Sequence, residues 1–120
     1  MVNLLHETLE IMKQNDCNPE YDVLWVGSKD GKYGMSWNEF KKIADFNYSN
    51  SYGSIEIPID LVVVFLDGGW LERHEYDGSE WWEYKITPQQ QQEPKKFTKA
   101  KSSWSGWDDD LEEANEDPQG

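Results

Sequence analysis

The sequence predicts a small α+β domain, in which an antiparallel sheet packs against two helices, followed by a disordered acidic tail. Three observations predict this fold. From Asp60 to Ile86, an aliphatic run and two aromatic-rich segments are joined by glycine-containing turns, as in a three-strand meander. Two segments nearer the N-terminus have the apolar spacing of amphipathic helices. After Ile86 the chain becomes polar and aperiodic.

The first predicted element is a helix over residues 2–15. Its stripe residues recur at intervals of three and four, and they are Leu4, Leu5, Thr8, Leu9, Ile11 and Met12. Such a stripe usually faces a core, so we expect this helix to pack on the sheet.

A strand from Tyr21 to Gly27 follows, and after a turn a short second strand covers residues 33–35. Ser36 and Glu39 then match a capping box, in which each side chain binds a free amide at a helix start. The second helix therefore begins at Trp37 and runs to about residue 46. We expect its core-facing positions to be Trp37, Phe40, Ile43 and either Ala44 or Phe46.

The C-terminal meander contains the densest apolar surface of the chain. Residues 61–66 are all aliphatic or aromatic, which is typical of a central strand. For the last hairpin, a two-residue turn would place Glu72 opposite Glu83, and directly opposed like charges are destabilising. The sequence therefore favours a three-residue turn over residues 76–78, which pairs His74 with Glu80 and Glu72 with Trp82.

This register also predicts which face of the sheet is buried. It places Trp70, Trp82 and Tyr84 together, and so large an aromatic surface is expected to face the core. Arg73 then lies on the opposite face with Leu71.

Composition limits the possible partners. The formal net charge is −13 and the sequence pI is about 4.4, which argues against direct binding of nucleic acid and favours a protein partner with a basic surface. A single cysteine, Cys17, excludes an intramolecular disulfide and fits a reducing compartment. No apolar run approaches the roughly 20 residues of a membrane span, and the N-terminus lacks a signal peptide pattern, so we expect a cytoplasmic protein.

A search for catalytic motifs finds one polar cluster, Glu72, His74 and Glu80. A histidine and two carboxylates on one sheet face can bind a divalent metal or transfer protons, and they can equally hold two strands in register. No phosphate-binding loop, dinucleotide fingerprint or nucleophile elbow is present in the sequence. We therefore expect no catalytic residues, no metal and no cofactor.

Residues 87–120 are predicted to be a disordered tail after a domain of residues 1–86. A lysine-containing segment precedes Trp104, Trp107 and Leu111, whose spacings of three and four place them on one face of a helix formed on binding. The acidic residues interspersed with these anchors are Asp108, Asp109 and Asp110. The tail is therefore a candidate partner-binding segment, which the lysines can hold closed by folding back on it.

The segment from Trp70 to Lys85 resembles one in small uncharacterised proteins of phages and prophages of Gram-positive bacteria. The resemblance extends to the strand Val23–Gly27 and to the helix start Met35–Phe40, so it covers roughly residues 1–86. It implies an intracellular, phage-encoded accessory protein, and it transfers no activity.

Two functions follow as hypotheses. The first is a non-enzymatic accessory protein that binds a host or phage protein, for example an acidic DNA mimic that inhibits nucleic-acid-handling or defence machinery. The alternative is a small metal-binding protein or enzyme that uses Glu72, His74 and Glu80.

Overall fold

A computed structural model describes residues 1–51, 53–101 and 110–115 of the chain, which divides into two compact units, Met1–Thr87 and Pro88–Gly120. The first unit contains, in chain order, β1 (Val2–Asn3), α1 (Leu4–Gln14), α2 (Pro19–Asp22), β2 (Val23–Ser28), β3 (Gly34–Met35), α3 (Trp37–Ile43), β4 (Asn47–Tyr48), β5 (Leu61–Phe65), β6 (Trp70–Tyr76) and β7 (Ser79–Lys85). Five of these strands form one antiparallel sheet in the order β3-β2-β5-β6-β7, and β1 pairs with β4. The predicted α+β fold and its C-terminal meander are confirmed.

The helix starts follow from local sequence. Asn3 caps α1 by accepting a hydrogen bond from the amide of His6 at 3.1 Å. The capping box of α3 is present, with the Ser36 hydroxyl accepting from the Glu39 amide at 3.1 Å. Ile43, which was expected in the core, is 61% exposed because α3 ends there and Ala44 occupies the buried position instead.

The core lies on one face of the sheet, which we call the inner face. Strand residues of this face pack against α1, α3, Tyr48 of β4 and the loop residue Ile57. The fully or nearly buried cluster consists of Leu4, Met12, Val26, Trp37, Phe40, Ala44, Tyr48, Ile57, Val63, Phe65, Leu71 and Trp82. Tyr48 thus folds back on the domain, whereas Tyr52 lies outside the described residues.

The β6–β7 hairpin has a different register from the predicted one. Asp77 and Gly78 form a two-residue turn with φ angles of 50° and 86°, and Tyr76 pairs with Ser79. Positive φ at both turn residues matches the twist of the two strands, which stabilises this short turn. Glu72 therefore does lie opposite Glu83. The prediction was wrong because each of these carboxylates binds neighbouring donors, as described below.

The orientation of β6 is also opposite to the prediction. Leu71 and Arg73 point to the inner face with Trp82, whereas Trp70 points to the opposite, outer face. The inward position of Trp82 was predicted correctly. An arginine was not expected inside, and it is stabilised there by charged partners that come from distant parts of the chain.

The described residues of the second unit include a short helix, α4 (Leu111–Ala114). The Asn115 side chain joins this helix to the lysine-containing segment, accepting from the amides of Thr98 and Lys99 at 3.0 and 2.8 Å and donating to the Lys99 carbonyl at 3.0 Å. The lysine segment and the start of the acidic segment thus lie side by side. Among the described residues of the chain, no helix has the length and apolar character needed to cross a membrane.

Candidate functional site

The outer face of the sheet carries three partly exposed tryptophans, Trp25, Trp70 and Trp81. The buried residues of α1 and α3 belong to the inner-face core, and α2 has no buried residue. No helix that the structure describes in the first unit therefore buries side chains against the outer face. Trp25 and Trp70 border a shallow depression of about 190 Å³ whose floor includes Val62 and Val64.

Each of two outer-face carboxylates accepts a hydrogen bond from a tryptophan two residues before it. The Trp70 indole N–H donates to Glu72 at 2.6 Å, and the Trp81 indole N–H donates to Glu83 at 3.1 Å. Glu72 and Glu83 are directly opposite on β6 and β7. The two antiparallel strands thus present the same Trp-x-Glu unit in opposite directions.

His74 lies beside both carboxylates. Its Nε2 is 2.7 Å from a Glu72 oxygen and its Nδ1 is 3.4 Å from a Glu83 oxygen. The imidazole also stacks on Trp81, with ring centroids 6.5 Å apart and an interplanar angle of 24°. The ring is therefore fixed between the two strands, and Glu72 and His74 are brought together as the sequence predicted.

The surroundings keep both carboxylates ionised. The hydrogen bond from Trp70 lowers the pKa of Glu72, an effect that His74 and Lys29 reinforce and partial burial opposes. Lys85, at 3.1 Å, is the main cause of the lowered pKa of Glu83, followed by Trp81. These donors offset the repulsion of the opposed glutamates.

The lowered pKa values predict how stability depends on pH. A carboxyl group whose pKa is lower in the folded state stabilises the fold above its unfolded pKa, and this contribution is lost as the pH falls through the folded pKa. We therefore expect the free energy of unfolding to decrease between about pH 5 and about pH 3. Glu72→Gln should flatten this dependence, as measured by urea unfolding followed by circular dichroism.

Glu10→Gln is the matched control for this measurement, because Glu10 is an exposed residue of α1 whose side chain accepts a long 3.4 Å bond from Gln14 and no other hydrogen bond within the described part of the chain. The control should keep the wild-type slope. Identical slopes for wild type and Glu72→Gln would mean that the outer-face hydrogen bonds contribute nothing to the titration.

Glu80, the third residue of the predicted polar cluster, lies on the inner face and does not join the other two. It is 2% exposed and accepts from the backbone amides of Glu56 and Ile57 at 2.9 and 3.1 Å. Arg73 donates to it at 3.1 Å. The predicted three-residue site is therefore wrong, because the two-residue turn places Glu80 opposite Glu75 rather than His74. Among the described residues, no group of three potential ligands is placed to hold a metal ion.

Arg73 is the centre of a buried network on the inner face. Its guanidinium donates to Glu7 of α1 at 3.1 Å, to the Tyr48 hydroxyl at 2.9 Å and to Glu80. It also lies 4.9 Å from the centroid of the Trp82 ring. This network joins α1, β4, β6 and β7, so we interpret it as structural.

The predicted partner-binding residues of the tail are only partly described. Trp104, Trp107, Asp108 and Asp109 lie outside the described residues. Asp110 is exposed and its carbonyl accepts from the Ala114 amide at 3.0 Å, and Leu111 begins α4 with 51% of its surface exposed. Their role as a recognition segment remains a prediction.

Trp81 and Glu83 were predicted to share one face of the last strand, but neither they nor Trp25 were predicted to lie on the same surface as Glu72 and His74. The signal that identifies two of them is the repeated Trp-x-Glu unit, which occurs once in β6 and once in β7. Trp25 lies near Trp70 because Val64 of β5 pairs with Trp25 of β2 on one side and with Trp70 of β6 on the other.

Comparison of the chain with protein-family models, with curated proteins and with solved structures finds no match.

Proposed function

We propose that this protein is a non-enzymatic binding protein that uses the outer face of its sheet to bind a partner protein. The observation that carries the proposal is the pair of ionised carboxylates, Glu72 and Glu83, set between partly exposed tryptophans on a face against which no described helix of the first unit packs. Protein-binding surfaces are enriched in tryptophan, which supplies a large contact area at a low cost in conformational entropy.

The chemistry of this face favours a lysine or arginine side chain of the partner. Indole rings attract cations through their π faces, and a carboxylate binds a guanidinium or an ammonium by charge-assisted hydrogen bonds. The depression between Trp25 and Trp70 offers an apolar floor for the aliphatic stem of such a side chain. Lys29 is 3.9 Å from Glu72 and its side chain is 58% exposed, so an incoming cation can take its place at little cost.

The negative charge of the chain supports the same class of partner. A formal net charge of −13 accelerates association with a basic protein surface. Proteins that handle nucleic acids carry basic surfaces, and the resemblance to phage proteins suggests that the partner is a host or phage protein of this kind. The mechanism that fits such a partner is inhibition, in which the acidic surface of this protein occupies the partner's DNA-binding site in place of DNA. Acidic residues outside the outer face would then contribute to binding as well.

The test is a binding measurement with matched charge variants. Cross-linking and affinity purification from bacterial lysate identify the partner, and titration of the purified partner then gives the dissociation constant. We expect Glu72→Gln with Glu83→Gln to weaken binding at least about tenfold, since two charged contacts are lost while the side-chain shapes are kept.

The control is Glu20→Gln with Glu75→Gln, which removes the same charge from two exposed residues, one on α2 beside Lys41 of α3 and one on the inner-face side of β6. It should bind nearly as wild type, apart from a small loss at low salt. Equal affinities for the two double variants would contradict the proposal and leave only the general acidity of the chain as a source of binding.

A further inference from the structure

The last strand of the sheet, β7, has one edge without a neighbouring strand in the described part of the chain. The Glu80 amide at this edge donates to the Asn50 carbonyl at 2.9 Å. Alternate residues of an antiparallel strand direct their backbone groups to the same edge. The backbone amides of Trp82 and Tyr84 therefore point to this edge, as that of Glu80 does. No described residue accepts a hydrogen bond from their amides.

A groove of about 500 Å³ runs between this edge and helix α1. Its walls come from one side of α1, from the residues just before that helix and from the indoles of β7. The lining residues are Val2, Asn3, His6, Glu7, Glu10, Ile11, Gln14, Trp81 and Trp82.

The groove has the length of a short strand. On α1 its lining runs from His6 to Gln14, eight steps that rise about 12 Å along a helix. A strand of about four residues covers the same distance at about 3.3 Å per residue. A strand placed there would bring one backbone edge to Trp82 and Tyr84, and its alternate side chains on one face would point into the groove.

We propose that this groove binds an extended segment of a partner protein, which adds to β7 as a sixth strand and carries a lysine or arginine toward α1. Backbone hydrogen bonds to an open sheet edge supply affinity in this mode of recognition, and side-chain pockets supply specificity. The site is separate from the outer face and does not depend on its function, although Trp81 borders both.

The charge of the groove selects a basic segment. Its charged groups are the carboxylates Glu7 and Glu10, with His6 as the one other titratable side chain in its lining. Glu7 already binds Arg73 and Tyr48, whereas Glu10 is exposed and, of the residues that the structure describes, accepts only from Gln14. Glu10 is therefore the residue available to a cation of the incoming strand.

The probe for the test is a capped synthetic heptapeptide of alternating valine and lysine, titrated into the ¹⁵N-labelled full chain. We expect saturable shifts of the Trp82 and Tyr84 amides and slower hydrogen exchange of both. A peptide methylated on alternate backbone nitrogens keeps its charge and loses one hydrogen-bonding edge, so it should bind at least tenfold more weakly.

Glu10→Lys should weaken binding of the unmodified peptide about tenfold, because an attraction becomes a repulsion. Asp60→Lys, the same change at an exposed site away from the groove, should have much less effect.

Three results would overturn the proposal. Equal binding of the methylated peptide would mean attraction between charges without strand addition. Shifts confined to other amides would place the peptide elsewhere. Protection of the Trp82 and Tyr84 amides in the free protein that disappears on dilution, together with a dimer in sedimentation, would identify a second copy of this chain as the occupant.

Discussion

Replacing Arg73 with methionine should lower the free energy of unfolding by about 3–5 kcal/mol, the range seen when one partner of a buried ion pair is removed. The Arg73 side chain is 2% exposed and so is that of Glu80, which would keep its two backbone donors and lose its only described cation. A buried carboxylate without a cation destabilises the folded state, because the low-dielectric interior solvates its charge poorly. Urea unfolding followed by tryptophan fluorescence measures the change.

Lys41→Met is the control for this experiment. Lys41 makes an ion pair with Glu20 at 3.5 Å, in which both side chains are exposed, so its loss should cost about 0–1 kcal/mol. Adding Glu80→Gln to Arg73→Met should restore part of the stability by removing the uncompensated charge. If Arg73→Met proved no more damaging than Lys41→Met, the network would not stabilise the fold.

Trp82→Ala should also cost about 3–5 kcal/mol, here through a cavity in the core. Trp82 is 4% exposed, and its indole N–H donates to the Thr8 hydroxyl of α1 at 2.9 Å. Thr8 in turn donates to the Leu4 carbonyl at 2.7 Å. The substitution removes packing and a buried hydrogen bond together, and thermal and urea unfolding both report the loss.

The adjacent Trp81→Ala is a matched comparison, because Trp81 is partly exposed and its removal opens no enclosed space on the inner face. We expect a loss less than half as large. A larger loss for Trp81 than for Trp82 would be inconsistent with the sheet orientation described above.

The elements that the sequence predicted well are those set by local chemistry. The apolar stripe of α1 (apart from Leu9, which is exposed), the capping box at Ser36 and the two glycine-containing turns of the meander each depend on residues close together in the chain. The short β1–β4 pair was not predicted, because two strands of two residues leave no periodic pattern.

The register predicted for the last hairpin was wrong, and the physical reason is not visible in the local sequence. Opposed glutamates were treated as isolated pairs, whereas Glu72 accepts from the Trp70 indole, Glu83 accepts from the Trp81 indole, and His74 lies beside both. Glu80 binds Arg73 on the inner face. Glu7, which completes the partners of Arg73, lies 66 residues away in sequence. Two of the three residues of the polar cluster, Glu72 and His74, could therefore be predicted to lie together, and the burial of Glu80 could not.

The long sequence separation of the contacts around Arg73 has a consequence for cooperativity. Helix α1 lies at the start of the first unit and the β6–β7 hairpin at its end, and Glu7–Arg73 and Thr8–Trp82 connect the two. Detachment of α1 alone would leave Arg73 without its Glu7 partner and expose the Trp82 indole to water, so we expect this partial opening to cost a substantial part of the free energy of unfolding. The helix and the hairpin thus belong to a single foldon, and α1 forms its stable contacts only after the chain has closed its longest loop.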